Sequence, residues 1–142
     1  MTVVLALRKN DDRLTSKAIC WWSNSIYSHC ELVVDGVSYS SSAMDGGVRS
    51  KVIDMTPDKW DFIELPWIDP VDVTSYFIRT DSYKYGWLGL ITNQMFNLGR
   101  SDPDTTFCSQ WCAAAMGIPN PAQYSPGSLN ALSIFINKTL GA

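Results

Sequence analysis

At 142 residues, with 46% apolar and 18% charged side chains, the chain is sized and composed for a single domain, 1–142, with a full hydrophobic core. Its formal charge of −3 arises from 14 acidic and 11 scattered basic residues, which excludes the basic stripe that nucleic-acid partners select. No run approaches the ~20 apolar residues of a bilayer span, so no stable membrane insertion is expected.

Residues 2–7 read as a short strand. They are too few for a signal-peptide core, and Arg8, Lys9, Asp11, Asp12 and Arg13 follow at once. The expected location is therefore cytoplasmic, or reached without a signal peptide, in a phage particle or by lysis. Residues 16–23 read as a short amphipathic helix. Residues 28–34 form a strand, Asp35-Gly36 gives a two-residue hairpin turn, and 37–43 return as its partner. Asp45-Gly46-Gly47 makes the next turn. Residues 48–55 and 62–65 read as further strands, and a helix starts within 71–78. Apolar residues at 87, 88, 91, 95 and 98 mark one helical face, closed by Gly99. A helix from Cys108 ends at Gly117, and 128–140 form the last one. Strands first and helices later predict an α+β fold, an antiparallel sheet packed against helices.

The chemistry gathers at two places. Cys108 opens an apolar helical run directly after the polar stretch 101–106, so its thiol lies where unpaired N–H groups and the helix dipole favour a thiolate. His29, the one histidine, lies in the strand 28–34. A helix-start cysteine and a histidine are the minimum parts of a thiol nucleophile and its base. Each also has a plainer reading, as a buried small hydrophobe and as a core histidine.

Pairing outward from the Asp35-Gly36 turn sets His29 opposite Ser42 and Glu31 opposite Ser40. Ser42 is then the orienting neighbour of His29, with Glu31 as the acidic alternative. Cys20, Cys30 and Cys112 read as reduced core residues. A Cys₃His zinc site is disfavoured because the chain has no C-x₂-C knuckle and Cys30 points away from the His29 face. No metal or cofactor is expected. Phosphate loops, dinucleotide fingerprints and HExxH patterns do not occur.

Together these pieces resemble the NlpC-type papain-like cysteine peptidase superfamily in its circularly permuted, YiiX-like branch, where a Ser-His strand comes first and the nucleophile helix late. Ser28-His29-Cys30-Glu31-Leu32-Val33-Val34-Asp35-Gly36 looks like the histidine strand, and Ser41-Ser42-Ala43 through Gly46-Gly47-Val48 like the next strand. Tyr85-Gly86-Trp87 is similar to a Tyr-x-Trp element, Phe107-Cys108-Ser109-Gln110-Trp111 to the nucleophile motif, and Tyr124-Ser125-Pro126-Gly127-Ser128-Leu129 to the Ser-Pro-x-x-Leu tail. The ordered set spans residues 28–129.

The resemblance implies a permuted papain-like core with Cys108 and His29 as the catalytic pair and Ser42 in the third position. That position is often acidic or amide in the superfamily, so Glu31 or Asp45 stands in if the register differs. Tyr85, Trp87 and Ser109 are implied to contact substrate or oxyanion. The expected activity is a cysteine peptidase or amidase cleaving a peptide or amide substrate, with bacterial or phage peptidoglycan fragments as one class. The alternatives are a catalytically silent interaction module on the same fold, and a lipid acyltransferase or thioesterase.

Overall fold

A computed structural model describes residues 2–9, 17, 20–21, 25–87, 90 and 104–141. The mixed α+β reading holds. Seven strands, β1 (Val3–Lys9), β2 (Tyr27–Val34), β3 (Val37–Ser42), β4 (Gly47–Lys51), β5 (Trp60–Leu65), β6 (Lys84–Tyr85) and β7 (Thr105–Thr106), form one sheet in the order β5-β1-β2-β3-β4-β6-β7. All neighbours are antiparallel except β6 and β7. The sheet is joined by α1 (Pro70–Thr80), α2 (Cys108–Ala115) and α3 (Pro126–Thr139), with a short 3-10 helix at Pro121–Gln123 between the last two.

Local chemistry sets the boundaries. Asp35 and Gly36 both take positive φ, 51° and 79°, which is the twist a two-residue hairpin requires, and Val34 pairs with Val37 across it. Asp69 caps α1 by accepting from the Val71 N–H at 2.9 Å, with Pro70 next. Ser125 and Ser128 cap α3 reciprocally, and Pro126 follows the cap. The helix expected to begin at 128 therefore begins at Pro126. Gly117, at φ 77°, closes the turn after α2.

The core lies between the sheet and the helices. Leu5, Leu7, Cys30, Leu32 and Val34 alternate onto one sheet face and meet Val73 of α1, Trp111 and Cys112 of α2, and Leu129 of α3. Three contacts fix α2 against its surroundings. The Trp111 indole donates to Thr80 Oγ1 at 2.8 Å, the Ser109 hydroxyl to the Tyr124 carbonyl at 2.6 Å, and the Cys112 thiol to the Cys30 carbonyl at 3.8 Å.

Two expected elements lie mostly outside the described residues: the helix at 16–23, of which Lys17, Cys20 and Trp21 are described as helical, and that at 87–98 with its Gly99 stop. β6 and β7 were not expected, because two-residue strands carry no periodicity. Among the described residues no helix is long and apolar enough to cross a membrane.

Candidate active site

The site is built where the sheet opens. The β2–β3 ladder pairs Val34 with Val37, Val33 with Ser38 and Leu32 with Tyr39, as the turn dictates, and goes no further toward the β2 start. Side chains take over beyond it: the Ser40 hydroxyl donates to the Cys30 carbonyl at 2.7 Å, and Ser41 to the Thr106 carbonyl at 2.6 Å. Thr106 precedes Phe107 and Cys108, so this bond ties the far end of β3 to the approach of α2. The expected pairing of His29 with Ser42 is thereby corrected. On its other side, Ser42 pairs with Gly47 of β4.

Cys108 is the first residue of α2 and is 2% exposed. No side chain caps the helix start; the nearest contact is a 3.4 Å bond from the Phe107 N–H to Gln110 Oε1. First-turn N–H groups and the dipole therefore remain directed at the Cys108 end. Its thiol is held well below the ordinary range by a hydrogen bond from Cys30 and by the His29 ring, which together outweigh burial. Burial pushes the Cys30 thiol up and keeps it a donor to its neighbour.

His29 stands between Cys108 and Glu31. Its Nε2 meets Glu31 Oε2, two residues along the same strand face, which leaves Nδ1 for the thiol. Burial alone would lower this histidine, but Glu31 and Cys108 outweigh it and raise the ring to about 10. Glu31 is 0% exposed. Burial acts against its charge, yet His29 and Arg49 hold it below the usual carboxylate value.

Arg49 grips Glu31 with both terminal nitrogens, each at 2.6 Å, and its Nε donates to Asp45 at 2.8 Å. Lys51 reaches the same Asp45 oxygen at 3.0 Å. The result is a chain of charges, Cys108–His29–Glu31–Arg49–Asp45–Lys51, crossing from α2 through β2 to β4 and the turn before it.

The expected residues thus separate. Cys108, His29 and Glu31 come together. Ser42 lines the same cavity, but the ring nitrogen is met by the carboxylate rather than by this hydroxyl. Asp45 does not reach the histidine; its partners are Arg49 and Lys51, and the Arg49 bond is the main reason it titrates at about 2. Ser109 is fully buried, and its hydroxyl donates to the Tyr124 carbonyl.

Tyr85 is brought in by the parallel pairing of β6 with β7, which sets it opposite Thr106, two residues before Cys108. Burial raises its hydroxyl, and the Cys108 charge adds to this, so the phenol stays protonated. Trp87, 48% exposed, stacks edge-on against Tyr85 at 4.8 Å. Both line a cavity of about 640 Å³ that also takes in His29, Glu31 and Arg49. Cys108 is not part of that lining; its neighbours His29 and Tyr85 are.

Sequence reasoning missed Arg49 and the role of Cys30. Arg49 could have been found by carrying the register one hairpin further, since it pairs with Ser40, the residue placed opposite Glu31. Cys30 faces the core as expected, and the opening of the sheet brings Cys108 against both it and His29.

Among the described residues no group of three or more His, Cys, Asp or Glu side chains is arranged to hold a metal ion, and all four cysteines are free thiols. Compared with protein-family models, curated proteins and solved structures, the chain has no significant match.

Proposed function

We propose that the protein is a thiol hydrolase, a cysteine peptidase or amidase on a permuted papain-like, NlpC-type core, with Cys108 as nucleophile and His29 as base. The observation that carries this reading is the His29 ring, held between the buried Glu31 carboxylate and a cysteine at a helix start. In this scheme the proton moves from Cys108 to His29 Nδ1, and Glu31 stabilises the imidazolium through Nε2. Glu31 supplies the charge that a serine in the third position would lack. The thiolate attacks an amide carbonyl, His29 protonates the leaving amine, and water then cleaves the thioester.

The Cys108 N–H and the protonated Tyr85 hydroxyl are the oxyanion donors, each worth about 3 kcal/mol in such a site. Cell-wall peptides are the substrate class implied by the resemblance. The test is hydrolysis of peptidoglycan fragments by the wild-type chain beside Cys108→Ala and Cys108→Ser. Turnover should vanish in both while the circular dichroism spectrum is retained. Turnover surviving in both would remove Cys108 from the mechanism.

A further inference from the structure

The hydrolytic scheme leaves a second buried thiol, Cys30, unused beside the nucleophile. Cys30 is fully buried in β2 and shares the core with Cys108 and Cys112. Its carbonyl accepts from the Ser40 hydroxyl at 2.7 Å and from the Cys112 thiol at 3.8 Å, which fixes this part of β2 against α2. Its own thiol stays protonated through burial and donates to Cys108. A thiolate and a thiol in hydrogen-bond contact, both reduced, are the two halves of a disulfide.

The positions on α2 decide which thiol Cys108 can join. Cys108 and Cys112 are four residues apart on one helix, so their Cα–Cβ bonds tilt the same way and the two sulfurs do not face each other. Cys30 approaches from the facing strand instead. Cys108 is the first residue of its helix, and no preceding turn restricts its χ1, which leaves rotation toward Cys30 open. A small oxidant reaches the thiolate from the 640 Å³ cavity, past His29 and Tyr85 in its lining.

We infer that Cys30 is a resolving thiol for Cys108, so that a hydroperoxide switches the site off reversibly through a Cys30–Cys108 disulfide. The Cys108 thiolate attacks a peroxide oxygen and the O–O bond breaks. The His29 imidazolium protonates the departing oxygen, giving Cys108 sulfenic acid and an alcohol or water. The Cys30 sulfur then attacks the sulfenic sulfur, the S–O bond breaks, and hydroxide leaves as water with the Cys30 proton. The two thiols give up two electrons and the peroxide takes both. A dithiol reverses the bond by exchange and restores the nucleophile. Without Cys30, a second peroxide carries the sulfenic acid on to sulfinic acid, which dithiols do not reduce. The inference adds regulation to the proposed hydrolase site and rests on that reading for the activity that is switched off.

The test exposes the reduced chain to a small excess of hydrogen peroxide, blocks remaining thiols with N-ethylmaleimide and maps linked peptides by mass spectrometry. A Cys30–Cys108 link should form, alkylation of Cys108 by iodoacetamide should be lost, and dithiothreitol should restore it. Cys112→Ala should leave the link in place. In Cys30→Ala the end product should be Cys108 sulfinic acid, with the fraction recovered by dithiothreitol reduced about tenfold. Cys108 sulfinic acid in the wild type with Cys30 unlinked, or a link from Cys108 to Cys112, would overturn the inference without recourse to any variant. Equal recovery in Cys30→Ala and the wild type would overturn it too. The iodoacetamide rate before oxidation reports separately on the hydrolase. An ordinary rate with a Cys30–Cys108 link would reject the hydrolase and keep the switch; a fast rate with no link would do the reverse.

Discussion

Glu31→Ala is expected to cost the fold about 3–5 kcal/mol, a large share of the stability of a domain this size. Glu31 is fully buried and serves two cations at once, His29 through Nε2 and Arg49 through two 2.6 Å bonds. Removing it leaves a protonated ring and a half-buried guanidinium facing a void. Most of the loss is therefore the cost of unpaired charge, and the intrinsic worth of the ion pairs is a smaller part.

That origin has a signature in a double-mutant cycle. Arg49→Met should also destabilise, because it leaves the buried carboxylate with one cation. The double variant Glu31→Ala/Arg49→Met should cost less than the two single losses combined, with a coupling of about 1–3 kcal/mol. Urea denaturation of the four proteins measures this. Additive losses, or a Glu31→Ala cost below about 1 kcal/mol, would mean that the pair is not coupled in solution.

Between pH 6.5 and 9 the stability of the wild-type protein is expected to stay nearly flat, whereas that of Cys108→Ser falls as pH rises. His29, raised to about 10 in the fold, contributes stability that is full below its ordinary 6.5 and is lost as pH rises through 10. Cys108, held well below its ordinary 9.0, contributes stability that is full above that value and is lost as pH falls through its folded value.

Between these limits the folded pair keeps its proton on the imidazole, and the unfolded chain keeps one on the thiol. Each state then binds one proton, and the two slopes cancel. In Cys108→Ser only the histidine remains, still raised by Glu31. Stability then declines by up to about 1.4 kcal/mol per pH unit above 6.5. On the acid side the wild type weakens as the unfolded histidine takes up its proton. Below 4.5 the lowered Glu31 adds to that loss. Urea midpoints at pH 6.5, 7.5 and 8.5 for both proteins decide the matter, and parallel profiles would show that no thiolate–imidazolium pair exists in the folded state.

What the sequence makes legible follows from how local each signal is. Asp35-Gly36 specifies its hairpin because both positions need positive φ, and the register it sets holds from Val34–Val37 to Leu32–Tyr39. Ser42 was placed wrongly because the register was carried beyond the point where β2 and β3 part. That opening depends on α2 and β7, which lie more than sixty residues away in the chain. Glu31 was legible as a residue sharing the His29 face, through the period of two along a strand. Its selection over Ser42 depends on Arg49, whose guanidinium keeps a buried carboxylate charged. Tyr85 is brought to Cys108 by a two-residue parallel pairing, too short to leave a pattern. The bulge in the β1–β2 ladder at Ser28, between the Arg8–His29 and Lys9–Tyr27 pairs, is likewise invisible in the sequence, since one extra residue in a ladder depends on what both strands pack against.

The central claim is that Cys108 is a thiolate paired with His29, and the rate of iodoacetamide alkylation against pH tests it most directly. In the wild type the rate should persist to a midpoint well below the ordinary thiol value, and in His29→Ala that acidic limb should disappear. A rate rising only near pH ~8.5, the same in both proteins, would show an ordinary thiol and contradict the pairing.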